Sequence, residues 1–236
     1  MKSKEHLKKQ RTIVGKAIKY IKGRRATFKK GECKKLIRKN SPVIVDIGAN
    51  DGLDTVEWRH VYPDAFIYAI EPNPEVYGKL AIQAKQYKIM PFNIALSDFN
   101  GEAELFISGG KSTQSSSLRR PKLHLELHPD VTFDKSIKVP VRKLDDWAVE
   151  NDVAQVDILW LDTQGTELEI LRNGISVLSA VQLIHTEVAL CEVYDGQGTY
   201  NELRDFLEGE GFSVYREFLG NPYNPGMGNV VFMRKF

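Results

Sequence analysis

Val43-Ile44-Val45-Asp46-Ile47-Gly48-Ala49-Asn50-Asp51-Gly52 is the stretch whose reading decides the fold. Val43–Ile47 is a nearly continuous apolar run, of the kind buried on both faces of a parallel sheet. Gly48 and Gly52 then let the backbone turn tightly and approach a ligand closely. Leu53–Val61 reads as the helix that follows, and the start of a helix presents free backbone N–H groups. Strand, glycine turn and helix in that order open a βαβ unit, whose ligands bind outside the carboxyl ends of the strands. The stretch is not G-x-G-x-x-G and lacks the Lys-Ser/Thr ending of a phosphate loop. Asp46 would repel a pyrophosphate and suits a ligand bearing an ammonium or sulfonium charge.

Working outward, the alternation continues. Phe66–Ile70, Lys88–Ile94, Val156–Leu161, Val181–Val188, Phe212–Phe218 and Asn229–Arg234 read as further main strands. Glu75–Lys85, residues 165–173 and Tyr200–Glu210 read as helices between them, and Leu144–Asn151 as a shorter one. Residues 101–107 and Ile137–Val141 are strand-like and pair as an antiparallel addition. Between them, 108–122 is rich in Ser and Gly, and 123–136 is irregular. The expected fold is α/β: a Rossmann-like, seven-stranded, mainly parallel sheet with helices on both faces and an antiparallel C-terminal strand.

The chain has 236 residues, enough for one domain with an extension. With 42% hydrophobic and 27% charged residues it is neither collagenous nor wholly disordered. No stretch approaches the roughly 18 consecutive apolar residues that cross a bilayer. Two cysteines, Cys33 and Cys191, make no disulfide framework and fit a reducing, cytoplasmic setting. The charge is uneven. Residues 1–40 carry 16 Lys or Arg against two acids, whereas 41–236 carry 17 against 29. The expected division is therefore a basic helical extension over 1–40 and the main domain over 41–236, joined at Ser41-Pro42. In the extension, Val14, Ala17, Ile18 and Ile21 fall at helical spacing among lysines, predicting an amphipathic helix over roughly 5–22 and a second over 31–39. Such a helix suits an anionic membrane surface, at the inner face of a membrane, or docking on a partner; nucleic acid is the weaker candidate.

Three segments at strand ends make a cofactor constellation. Asp46, Gly48, Asn50 and Gly52 follow the first strand. Glu71, Pro72 and Asn73 follow the second, 25 residues after Asp46, where a carboxylate can accept hydrogen bonds from both ribose hydroxyls. Ser97 and Asp98 follow the third, where they can reach an adenine amino group. Together they point to a nucleoside-bearing cation, and S-adenosylmethionine has that character.

The chain resembles the FkbM-type S-adenosylmethionine-dependent methyltransferases. The resemblance rests on Val43–Gly52 (VIVDIGANDG), Ile70–Asn73 (IEPN), Asn93–Asp98 (NIALSD), Ser115–Leu118 (SSSL), Leu144–Trp147 (LDDW) and Leu161–Leu171 (LDTQGTELEIL). It implies a Rossmann-like fold, methyl transfer to a hydroxyl, commonly on sugars or secondary metabolites, and a loop at Ser112–Ser117 over the pocket. Members often carry Asp-Val-Glu-Gly after the fourth strand. Here Thr163-Gln164-Gly165 follows Asp162, leaving no acid at 164.

A hydroxyl is a poor nucleophile until it loses its proton, so a base or a divalent metal must help. Asp162 ends the fourth strand, and His185 and Glu187 lie near the end of the fifth. Asp162, Glu187 and His185 are the catalytic candidates, and Asp162 is also a cofactor contact. Asp162 with Glu187 is the candidate pair for a metal such as Mg²⁺. His124 and His128, four apart, read as a solvated loop rather than a metal pair. Gly220–Gly226 is either an acceptor wall or a hairpin connection. The expected function is an O-methyltransferase acting on a glycan, glycolipid or other small polar metabolite. The alternatives are an RNA methyltransferase gripping through the basic arm, and a non-catalytic S-adenosylmethionine-binding scaffold.

Overall fold

Runs of β-branched and aliphatic residues become strands because both of their faces find apolar partners. The protein is described by a computed structural model over residues 28–221 and 224–235. Its elements, in chain order, are α1 (Lys30–Leu36), β1 (Val43–Ile47), α2 (Leu53–Val61), β2 (Phe66–Ile70), α3 (Pro74–Tyr87), β3 (Met90–Phe92), β4 (Ala95–Leu96), β5 (Gly101–Gly110), α4 (His124–Leu127), β6 (Val131–Arg142), α5 (Leu144–Glu150), β7 (Ile158–Leu161), α6 (Glu167–Arg172), α7 (Ile175–Leu178), β8 (Leu183–Ala189), α8 (Tyr200–Gly209), β9 (Phe212–Asn221) and β10 (Asn224–Arg234).

The main sheet has seven strands in the order β3-β2-β1-β7-β8-β10-β9. The first five run parallel, and β10 runs antiparallel to both β8 and β9. The chain reverses its direction of strand addition after β3 and returns to the other side of β1 with β7. This switch point opens a crevice at the carboxyl ends of β1, β2 and β7. A second sheet, β4-β6-β5, stands beside it, with the expected antiparallel pair at its heart.

Two cores sandwich the main sheet. On one face Ile44, Ile67 and Ile158 pack against Cys33 and Ile37 near α1, Trp58 of α2 and Leu80 of α3. On the other face Val45, Leu159 and Ile184 pack against Trp147 of α5, Leu171 of α6 and Leu207 of α8. Each fully buried aliphatic side chain contributes about 1.5–3 kcal/mol relative to exposure. Among the described residues no helix is long and apolar enough to cross a membrane.

Several boundaries move. The third strand shrinks from the expected 88–94 to 90–92, because Lys88 takes a left-handed φ of 53° to end α3. The last strand lengthens backwards to Asn224, since pairing with β9 carries it through Pro225 and Gly226. Asn221 and Asn224 are thus paired across β9 and β10, and residues 222 and 223 lie outside the described residues. So does the helix expected over 5–22, with its membrane and nucleic-acid roles. The second basic helix is present as α1 and is docked on the sheet. Phe28, Cys33 and Ile37 are buried, Arg216 reaches Glu32 at 2.8 Å, and Lys39 reaches the buried Asp157 at 2.6 Å.

Candidate active site

Three strand ends are tied together by their backbones. The N–H groups of Gly48 and Ala49 both donate to the Ile70 carbonyl, each at 2.9 Å, and the Asp162 N–H donates to the Ile47 carbonyl at 2.9 Å. Gly48 has φ +86°, and a Cβ there would stand 1.9 Å from the Asp162 carbonyl oxygen. No other residue lets β1 turn against the end of β7 at that separation.

The cleft above this junction encloses about 590 Å³, including space open to solvent. Ile47, Ile70, Val76, Ile94, Leu96 and Leu118 supply an apolar wall; Asn50, Glu71, Asn73 and Asp162 supply polar groups. Glu71 is the best-placed of these. Its Oε2 accepts from the Asn50 N–H at 3.0 Å and its Oε1 from the Asn73 N–H at 2.8 Å. Each oxygen keeps a free lone pair for a hydroxyl. Burial pushes the carboxyl up to about 7 against the pull of those two N–H groups. Asn93 donates to the carbonyls of Glu71 and Pro72, and Asn73 caps α3 by accepting from the Glu75 N–H. A buried carboxylate with two open acceptor sites beside an apolar slot suits a ribose diol with its purine. The residues present therefore fit S-adenosylmethionine.

Asp46 is not among the residues lining the cleft. It points to the opposite face, where its Oδ2 accepts from the Thr55 hydroxyl at 2.9 Å under α2. Burial raises its carboxyl. Gly52, at φ +80°, starts α2 and packs on Leu80. Ser97 is buried just beyond β4 and donates to Asp98 at 3.2 Å; Asp98 is exposed, and neither lines the cleft. His185 shares a sheet face with Glu187, as expected, but lies two residues deeper. Its ring stacks on Trp160 at 3.6 Å and 6°, and burial holds it neutral, with its pKa lowered to about 3. The structure does not bring it to the cleft.

Asp162 and Glu187 do come together, through Gln164. The Gln164 amide nitrogen donates to Asp162 Oδ1 and to Glu187 Oε2, each at 2.7 Å. Gln164 sits at φ +58°, a conformation few non-glycine residues adopt. Its carbonyl accepts from Ser117 Oγ at 2.7 Å, and its Oε1 lies 3.0 Å from the Tyr194 hydroxyl. Tyr194 also reaches the Ser115 carbonyl at 3.1 Å, so its one hydrogen serves one or the other. Either way the amide nitrogen faces the acids, since the reverse orientation would set Oε1 against two carboxyls. Below it, Glu167 is buried and accepts from the N–H groups of Thr163 and Gly165.

Burial, with Asp162 and Glu167 nearby, raises Glu187 well above the usual carboxylate range. Asp162 is raised too, by desolvation, yet stays accessible through the cleft mouth and is helped toward ionisation by hydrogen bonds from Gln164 and the Glu187 carboxyl. The two carboxyls are coupled, and burial between the other acids holds a proton more firmly on Glu187 than on Asp162. Among the described residues no group of three or more His, Cys, Asp or Glu is arranged to hold a metal.

The loop expected at Ser112–Ser117 does cover the cleft: Thr113, Gln114 and Ser116 line it. The solvated loop expected around His124 is corrected. His124 opens the short helix α4 and is 97% buried between His128, Phe133 and Tyr194, because this insert folds back onto the segment after β8. Sequence reasoning missed Tyr194 altogether and noted Gln164 only as a departure from a pattern. Thirty residues separate the two, and nothing local marks them as partners.

The family description "Methyltransferase FkbM domain" matches residues 46–214. The chain belongs to the FkbM methyltransferase family. It is an S-adenosylmethionine-dependent methyltransferase. It is 34% identical over 178 residues to the 2-O-methyltransferase NoeI of Sinorhizobium fredii (strain NBRC 101917 / NGR234), covering 73% of each protein. It is 22% identical over 203 residues to the 31-O-demethyl-FK506 methyltransferase FkbM of Streptomyces tacrolimicus, covering 74% of each. The solved structure of methyltransferase FkbM from Methylobacillus flagellatus KT superposes with a TM-score of 0.53 at 15% identity. That match covers 84% of this FkbM chain but 45% of the solved one, and it shows the shared fold.

Proposed function

We propose that this FkbM-family enzyme transfers the methyl group of S-adenosylmethionine to a hydroxyl of a glycan or other small polar metabolite. The single observation that carries this reading is the Asp162–Gln164–Glu187 cluster, of which Asp162 and Gln164 line the cleft. Glu71 would hold the ribose diol, and the wall from Ile94 to Leu96 would take the adenine. When bound, the sulfonium supplies an electrophilic methyl carbon. Asp162 has the task of accepting the hydroxyl proton. Glu187, protonated and held by the same amide, steadies the charge on Asp162 by hydrogen bonding to it. Gln164 keeps both carboxyls in register, so the base is positioned before an acceptor arrives. The names of two relatives, both O-methyltransferases, favour oxygen as the acceptor atom.

The test is an acceptor screen with radiolabelled S-adenosylmethionine over neutral glycosides, lipid-linked glycans, amines and RNA, following S-adenosylhomocysteine. Label should enter hydroxyl-bearing glycans or metabolites. Label entering amines or RNA alone would sink the reading.

A further inference from the structure

Thr113, Gln114, Ser116 and Leu118 cover the cleft, and the chain leaves them through Arg119. The Arg119 side chain reaches the turns that carry Gln164 and Tyr194. Its Nη2 donates to Glu169 Oε1 on α6 at 2.6 Å, and its Nη1 donates to the Asp195 carbonyl beyond β8 at 2.9 Å. Its backbone N–H donates to Ser117 Oγ at 3.0 Å, and that hydroxyl donates in turn to the Gln164 carbonyl at 2.7 Å. One residue thus ties the covering segment to the chain after β7 and to the chain after β8.

Both turns are shaped around it. At Gly196, φ +65°, an added Cβ would stand 2.9 Å from Arg119 Nη1. At Gly165, φ +115°, it would stand 3.4 Å from Arg119 Cδ, Gln197 Cδ and Tyr194 Cβ alike. Glycine adopts such backbone without strain and leaves out the side chain that would crowd the arginine. The ion pair is partly buried, its side chains 22% and 18% exposed, so solvent screens it less than a surface pair. It is also incomplete. Among the described residues Arg119 Nε and Glu169 Oε2 are buried without a partner, where a side-on pair would make two parallel bonds. The carboxylate is held by one contact and forgoes the second, which lowers the cost of release.

We propose that Arg119 is a positioning residue for the donor: its clamp on Glu169 and the Asp195 carbonyl holds segment 112–118 closed over bound S-adenosylmethionine and sets how fast donor and product exchange. This rests on the donor occupying the cleft beside Glu71, and not on the choice of acceptor.

The experiment uses the full chain and tritiated S-adenosylhomocysteine, chased with excess unlabelled ligand below the thermal midpoint of every variant. Amide hydrogen exchange over 110–119 is read with and without the ligand. Arg119→Met keeps the aliphatic stem and removes the guanidinium. Arg119→Lys keeps the charge but not the fork that serves two partners. Glu169→Gln keeps the shape of the partner and removes its charge. Dissociation should be about tenfold faster in Arg119→Met, the scale of one charge-assisted hydrogen bond, and about threefold faster in the other two. Exchange over the segment should rise in the bound state. Arg119→Met with Glu169→Gln should release ligand no faster than Arg119→Met alone, because both act through one contact. Lys122→Met breaks the exposed pair with Glu192 and controls for lost charge; it should leave dissociation within about twofold. A merely structural role for Arg119 would lower the thermal midpoint and leave dissociation unmoved. Dissociation within about twofold of the parent in Arg119→Met and Glu169→Gln overturns the clamp, as does an equal change in Lys122→Met. If Arg119→Met does not fold, Arg119→Lys and Glu169→Gln decide by the same limits. Methylation of amines or RNA alone would sink the hydroxyl reading and leave the clamp standing, since ligand release involves no acceptor. A parent chain that does not bind S-adenosylhomocysteine overturns both.

Discussion

Glu71 and Glu187 are both buried carboxyls at the carboxyl end of a sheet strand, and they are held in opposite ways. Glu71 is gripped by two backbone N–H groups from its own and the neighbouring turn. Glu187 is gripped by the side chain of Gln164, which is itself braced by Tyr194 and Ser117. Backbone donors favour the charged form and are fixed by the fold, so Glu71 is lifted only to about 7. Glu187 faces two other acids and rises well above the carboxylate range. The first arrangement is suited to binding, where a charge must be ready but not mobile. The second is suited to proton transfer, where a charge must be shared.

The comparison breaks first at Asp162. Asp162→Asn keeps the size and the hydrogen bond to Gln164 but removes the proton acceptor, so kcat should fall about 10²–10⁴-fold, the usual contribution of a positioned base. Donor affinity, measured by calorimetry with S-adenosylhomocysteine, should change much less. Equal losses in both would place Asp162 with Glu71 as a binding group and dissolve the contrast.

Glu71→Gln tests the other side. The amide keeps one acceptor oxygen, so the loss of one charge-assisted bond, at about 1.5–3 kcal/mol, should weaken S-adenosylmethionine binding about 10–100-fold. The pH dependence has a definite sign. With the carboxyl near 7 in the free enzyme, hydroxyl donors favour the ionised form, so affinity falls as pH drops below about 7 and is flat above it. For stability the sign reverses. The folded pKa exceeds the ordinary 4.5, so the folded protein without donor loses stability from this group as pH rises from about 4.5 to about 7. Glu71→Gln should flatten both slopes, read by calorimetry and by thermal unfolding.

What could be seen in the sequence follows the same division. The placement of Gly48, Glu71 and Asn73 at the cleft was legible because each sits in the turn that ends a strand, and a turn is written in a few adjacent residues. The sheet was legible for the same reason: runs such as Val43–Ile47 and Phe66–Ile70 carry their burial in their composition. Asp46 misleads because period two settles a side chain's face but not which face holds the ligand; Thr55 on α2 decides that. His185 misleads because alternation gives side and not depth, and Trp160 and α1 supply the depth. His124 was read as solvated because its burial comes from Tyr194, seventy residues on. Gln164 and Tyr194 meet only in three dimensions.

The smallest effect sharpens the contrast most. Tyr194→Phe removes one hydroxyl and leaves the ring in its buried place against His124 and the Val193–Met227 cluster. The lost bond to Gln164 Oε1 or the Ser115 carbonyl should cost about 0.5–1.5 kcal/mol of stability, seen as a shift in thermal midpoint. If the hydroxyl only packs, nothing further changes. If it fixes the Gln164 amide, the carboxyls lose part of their clamp, kcat falls about two- to tenfold, and the acidic limb of the kcat profile moves, while donor affinity holds. An unmoved pH profile with full kcat would show that the Gln164 amide keeps its orientation without Tyr194, and that the acid pair is fixed by Ser117 and the left-handed turn alone.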